Sequence, residues 1–319
     1  MQAIEIRGVT KRFNGVTAVD DVSLDVPRGS IYGFIGPNGS GKTTTLRMIL
    51  SILLPDRGEI TVLGSRDARM ARDRVGYLPE ERGLYKKMTV VRLLRYFGGL
   101  KGAPKARVDA TARDWLKRLD LAHCADRKIE TLSKGMAQKV QFIAAVVATP
   151  ELLILDEPFS GLDPINAEVL KDAVLEMKRR GATVVFSTHD MATAEKMCDR
   201  IFMIFKGRKV LDGTLHDIQA EYGADTVRLR VDGGAAALAP FSGREIESLN
   251  DYGQMQEVRL RGDAQMFLQA LAAHVRVHHF EVARPSLHDI FVRIARPAEQ
   301  DAAPAADAGP GRAPEAAHV

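Results

Sequence analysis

Cysteine is almost missing from this chain. Of 319 residues only Cys124 and Cys198 carry a thiol, far apart and in unrelated contexts. Two such residues build neither a disulfide framework nor a cysteine-based metal site, which points to a reducing, cytoplasmic setting. Long apolar runs are missing as well. The longest, Phe142 to Ala148, has seven residues, against roughly 20 for a membrane-spanning helix. The opening MQAIEIRGVTKRF carries a charge every few residues and has no apolar signal core. Any membrane role is therefore expected to come through a partner. A large excess of one charge is absent too: a net charge of +4 and a pI near 9.0 are too mild to argue for nucleic acid. His274, His278, His279 and His288 have no cysteine companions and straddle different elements, so no zinc site is expected.

What remains is an ordinary globular composition, 45% apolar and 27% charged, in a chain long enough for two domains. The first 30 residues alternate apolar and polar, as half-buried antiparallel strands do. Ile31 to Ile35 reads as a buried strand, followed by a helix from Lys42 to about Ser51 and a strand from Gly58 to Leu63. From Arg66 to Arg118 there are 15 Lys/Arg against 6 Asp/Glu, in a largely helical segment. That charge suits a solvated helix surface, or a docking face for a protein or anionic lipid. Strand and helix alternate again from 151 to 205. Beyond Tyr222 the pattern becomes β-β-α-β-α, a separate small α+β domain over 222–296. From Pro297 the last 23 residues include nine Ala and four Pro, and this tail, 297–319, is expected to be disordered.

Two stretches carry chemistry. Gly36-Pro37-Asn38-Gly39-Ser40-Gly41-Lys42-Thr43 fits G-x-x-x-x-G-K-[ST] between a strand and a helix. Its glycines let backbone N–H groups wrap phosphate oxygens, with Thr44 following in the helix. Lys42 brings a charge to the β/γ-phosphates, and the Thr43 hydroxyl suits Mg²⁺. The second stretch runs from Leu132 to Asp163: LSKGM, a helical segment, LLILDEP, then SGLDP. Leu152 to Leu155 read as a strand buried on both faces that ends in Asp156 and Glu157. Open α/β sheets present ligands at such strand ends.

The order P-loop, LSKGM, LLILDEP, SGLDP and STHD resembles the ATP-binding subunit of ABC transporters over roughly residues 1–220. That resemblance implies a P-loop (RecA-like) α/β core with an antiparallel β subdomain and a helical subdomain at about 82–150. It implies ATP and Mg²⁺ as ligands and a separate transmembrane permease as partner, with the chain attached peripherally to the inner face of the membrane. By the same resemblance Phe13 stacks on adenine, Asp156 holds Mg²⁺, Glu157 is the general base and His189 contacts the γ-phosphate. Ser133, Lys134 and Gly135 reach the nucleotide of a second ATPase subunit, and Asp163 couples the two sites of a head-to-tail dimer, expected to be a homodimer. Two departures stand out. Lys134 and Met136 replace glycine and glutamine of the usual LSGGQ, and Glu80 stands where the family carries glutamine, able to sense ligand or Mg²⁺ but unable to donate as an amide does. GYLPEERGLY and the C-terminal domain resemble the subgroup with sodium- and drug-export ATPase subunits. Two other readings remain open. A soluble ABC ATPase of DNA repair or ribosomes would carry a coiled coil or two motif sets; a nucleotide-sensing module would hardly hydrolyse ATP.

Overall fold

In the computed structural model, residues 1–81, 83–223 and 225–300 are described. The expected tail lies outside the described residues from position 301 on. The chain opens with a long hairpin, β1 (Gln2–Phe13) and β2 (Val16–Pro27). Its two-residue turn is Asn14-Gly15, both at positive φ, the pairing that matches the strands' right-handed twist. β3 (Ile31–Ile35) then enters the glycine-rich loop and α1 (Lys42–Ile49), and β4 (Arg57–Val62) returns to pair with β1.

β5 (Val75–Leu78) precedes the helical layer of α2 (Val90–Leu100), α3 (Lys105–Arg118) and α4 (Lys134–Val146). The layer buries Leu93, Leu94, Trp115, Leu116, Phe142 and Ile143 against the sheet. The charged sides of α2 and α3 stay outward, as charge at helical spacing requires, whereas Lys139 of α4 is buried. β6 (Leu152–Asp156), α5 (Pro164–Arg179), β7 (Thr183–Thr188), α6 (Met191–Met197), β8 (Arg200–Phe205) and β9 (Arg208–Gly213) complete the core. Its six-stranded sheet runs β5-β6-β7-β3-β8-β9, parallel except for β9. Every residue of β3, β6 and β7 is buried, so those runs lack alternation.

After α7 (Leu215–Glu221) comes the second unit: β10 (Thr226–Val231), α8 (Gly234–Leu238), β11 (Ile246–Asp251), β12 (Gln256–Leu260), α9 (Ala264–Ala272), β13 (Val277–Ala283) and α10 (Leu287–Gln300). Its antiparallel sheet is ordered β11-β12-β10-β13. The sequence pattern had omitted α8 and β11. β11 is an edge strand with only Ile246 buried, so it has no apolar alternation to display. Val227, Leu229, Val258, Phe267 and Leu271 form a core of their own.

α6 lies close on β3 because Gly33 has no side chain: a Cβ there would meet Cys198 Sγ at 2.5 Å. Gly33→Ala is expected to destabilise the fold by about 1–3 kcal/mol through overpacking, read by urea unfolding. An unchanged midpoint would show that α6 yields freely.

Candidate nucleotide site

β3 delivers the loop and α1 receives it. Gly36 and Gly41 must be glycine: both have positive φ, and Cβ atoms there would meet Ile204 O at 2.2 Å and Ala18 O at 2.6 Å. Asn38 and Gly39 lie exposed at the crown, Pro37 and Thr44 half-buried, and Ser40 buried. Lys42 Nζ donates to Gly36 O at 2.8 Å and Pro37 O at 3.1 Å, which holds the ammonium at the mouth of its own loop.

Two strands away, β6 ends in Asp156. Its side chain is wholly buried. Oδ1 accepts from Thr43 Oγ1 at 3.2 Å and Ser187 Oγ at 2.5 Å, whereas Oδ2 is buried with no partner. Glu157 follows at φ 48°, a left-handed backbone rare for glutamate. Its N–H donates to Ser187 Oγ at 2.9 Å, which secures the strained turn. Lys42 Nζ stands 3.7 Å from Glu157 Oε1, and both side chains are nearly buried. Burial holds the Lys42 pKa below the ordinary lysine value; Glu157, Asp156 and more weakly Glu80 pull it back up. His189 Nδ1 lies 3.1 Å from both Glu157 oxygens. With its proton on Nδ1 the imidazole donates to that carboxylate, and Nε2 is left for a ligand.

Thus Lys42, Thr43, Asp156, Glu157 and His189 converge, with Glu80 exposed but within electrostatic reach of Lys42. Phe13 sits apart at the hairpin tip, 42% exposed, with Lys11 Nζ 5.5 Å from its ring centre. The tip is near the loop, since the Ala18 carbonyl abuts both Gly41 and Gly207.

Ser133, Lys134, Gly135 and Asp163 form a second group. Ser133 caps α4 by accepting from Met136 N–H at 3.3 Å. Asp163 caps α5 through Asn166 N–H at 3.0 Å. The two helix starts touch: Asn166 fits against Gly135, and the Lys134 ammonium leans on Gly161. Among the described residues this group makes no hydrogen bond or ion pair to the P-loop residues.

Sequence reasoning missed Ser187. It stands two residues before His189 in FSTHD, but its double role depends on pairing with β6. It also missed Gln141, whose Nε2 donates to Pro79 O at 3.2 Å and so pins the strand end that bears Glu80.

The donor set fits Mg²⁺. An unpartnered buried carboxylate oxygen beside a threonine hydroxyl is hard oxygen chemistry, and Mg²⁺ takes few protein ligands when phosphates and water supply the rest. Among the described residues no group of three or more His, Cys, Asp or Glu forms a metal cage. His278 pairs with Asp232, His279 with Glu281, and His274 with the Ala270 carbonyl.

A glycine loop feeding a helix, with a buried aspartate and adjacent glutamate on a nearby parallel strand, defines a P-loop nucleotide-binding protein. Residues 19–160 match the family described as ABC transporter, and 213–295 match the family described as ATP-binding protein DrrA1-3-like, C-terminal domain. The chain is 40% identical over 289 residues to the ABC transporter ATP-binding protein YhaQ of Bacillus subtilis (strain 168), covering 91% of this chain and 97% of that one. It is 32% identical over 306 residues to the daunorubicin/doxorubicin resistance ATP-binding protein DrrA of Streptomyces peucetius, covering 92% of each. A solved structure described as an ATP binding subunit of an ABC transporter superposes with TM-score 0.66 at 33% identity, covering 69% of this chain and 93% of that one. The chain belongs to the ATP-binding subunits of ABC transporters and is an ATPase of that family. Such subunits work with transmembrane permease components. Among the described residues no helix is long and apolar enough to cross a membrane.

Ser187→Ala removes the donor to Asp156 and the acceptor for Glu157 N–H together. It is expected to cost about 1–3 kcal/mol of stability, read by urea unfolding. Wild-type stability would mean that these two bonds contribute nothing.

Proposed function

We propose that this chain hydrolyses ATP with Mg²⁺ as one half of a head-to-tail homodimer and powers export through a separate permease. It would work on the cytoplasmic side, held at the membrane by that permease. In this reading 1–220 is the ATPase unit, with a helical subdomain at about 82–150, and 222–296 is the second unit, whose last helix continues to Gln300. The observation that carries the reading is the convergence of Lys42, Asp156, Glu157 and His189. Export is supported by the resistance protein DrrA, matched through both units.

The residues act as follows. The loop from Gly36 to Gly41 and the α1 N-terminus receive phosphate oxygens, with Lys42 as counter-charge. Thr43 and Asp156 hold Mg²⁺, which when bound neutralises developing phosphate charge. Glu157 accepts a proton from the attacking water, and His189, protonated on both ring nitrogens, donates from Nδ1 to that carboxylate and from Nε2 to the γ-phosphate. Phe13 stacks on the base. Glu80 meets ligand or water at the end of β5. Ser133, Lys134, Gly135 and Asp163 serve the nucleotide of the second subunit. The permease would enter the cavity of about 540 Å³ lined by Tyr77, Pro79, Leu84, Tyr85, Phe97 and Leu100, beside Glu80 and the basic helices.

Glu157→Gln should bind ATP, lose turnover by about 10²–10⁴-fold and accumulate as a stable dimer in size-exclusion chromatography. Turnover at the wild-type rate would remove Glu157 as the base. Ser133→Arg should abolish hydrolysis while each chain still binds a fluorescent ATP analogue. If binding disappears as well, Ser133 belongs to the site of its own chain.

A further inference from the structure

The second unit returns to the core through the start of α10, which meets α6 and, through Pro285 and Arg284, α7, close to the nucleotide site. α10 packs on α6: Leu287 and Ile290, both with no exposed surface, share a cluster with Ala194, Ile201, Met203 and Ile35. Ile35 is the residue just before Gly36 of the phosphate loop. Phe291 packs edge-on to Phe205 with ring centres 5.4 Å apart. The start of α10 is then tied by one polar bond across 92 residues, from Leu287 N–H to Glu195 Oε1. Ser286 and Asp289 exchange bonds as a capping box and fix the same turn.

α6 has little freedom left. On its other side Ala194 and Cys198 lie against Gly33 of β3, at a distance only glycine permits. At its N-terminus Asp190 caps the helix through both Thr193 N–H at 3.1 Å and Thr193 Oγ1 at 2.6 Å. The residue before that cap is His189, 3.1 Å from Glu157. A helix clamped on both sides and capped at its start moves as one body, so its placement sets where the imidazole stands. Displacements near 1 Å at a catalytic group can cost about 10²-fold in rate.

We propose that α10 of the C-terminal unit is a clamp on α6, with Glu195 as the positioning residue that keeps His189 in register with Glu157. Movement of the C-terminal unit then changes the hydrolysis rate through His189, while the phosphate loop and its contacts stay in place. This rests on the ATPase reading above and adds a control point to it. The bond needs only an acceptor at position 195, so a glutamine amide oxygen serves in place of the carboxylate, whereas alanine does not.

The test compares full-length wild type, Glu195→Gln, Glu195→Ala and Ile290→Ala in steady-state ATP hydrolysis, with thermal unfolding as a folding check. Glu195→Ala is expected to lower kcat about tenfold with KM for ATP unchanged, and Glu195→Gln to stay within about twofold of wild type. Ile290→Ala, which loosens the same seam without touching the bond, is expected to follow Glu195→Ala. Wild-type kcat in Glu195→Ala, equal losses in the alanine and glutamine variants, or a rise in KM at constant kcat would each overturn the clamp. Absence of turnover in the wild type would instead overturn the ATPase reading beneath it, so the two failures are distinct.

Discussion

A carboxylate without solvent contact stays in place only where donors or cations surround it, and Asp156 is such a group. Thr43 reaches it from α1 and Ser187 from β7, so a helix and two strands meet at one oxygen. That convergence does more than hold a ligand. β6 is apolar from Leu152 to Leu155 and buried on both faces, so hydrophobicity alone favours no particular register for it. The Asp156–Ser187 pairing distinguishes the observed register from its neighbours, because a slip by one residue would strand the charge away from its donors. The central sheet and the chemistry thus depend on the same contact.

Glu157 extends this arrangement at a cost. Its backbone is left-handed and its side chain nearly buried, both unfavourable for glutamate. Ser187 Oγ accepts its N–H, Lys42 balances its charge and His189 fixes its plane. Removing one partner of a buried pair typically costs about 3–5 kcal/mol, because the other charge is left uncompensated. The strained, desolvated carboxylate is therefore the element that its neighbours exist to support. In the hydrolysis proposed above, that support would keep the carboxylate aimed at the attacking water.

The phosphate loop and the strand ending in Asp156 were legible in the sequence. Each is determined by residues within a few positions of itself: glycines for the loop and an apolar run for the strand. Ser187 was not legible, because its role exists only once β7 lies beside β6. The seat of α10 was hidden for the same reason. Leu287, Ile290 and Ile294 announce a helical face, but α6 is some 90 residues earlier and is too short to display a matching stripe. Chain-local physics shows in the sequence, and pairing between distant elements does not.

Lys134 is the residue that most plainly departs from local rules. It opens α4, where the helix dipole favours acidic side chains, and the first turn contains none. A cation there is unfavourable by roughly 0.3–1 kcal/mol in an exposed first turn. Among the described residues it has no ion pair, in contrast to Lys42, which faces Glu157. Its ammonium rests on Gly161, where a side chain would collide with it. Ser133, Lys134 and Asp163 are all exposed, and among the described residues no carboxylate pairs with the Lys134 ammonium. A chain that keeps one cation compensated and another open presents two unlike halves of an anion site. In the head-to-tail dimer proposed above, two copies related by a two-fold axis would bring the open half of each over the loop of the other. There the γ-phosphate would supply the missing negative charge, and the unfavourable cation of the isolated chain would become favourable only with nucleotide and partner both present.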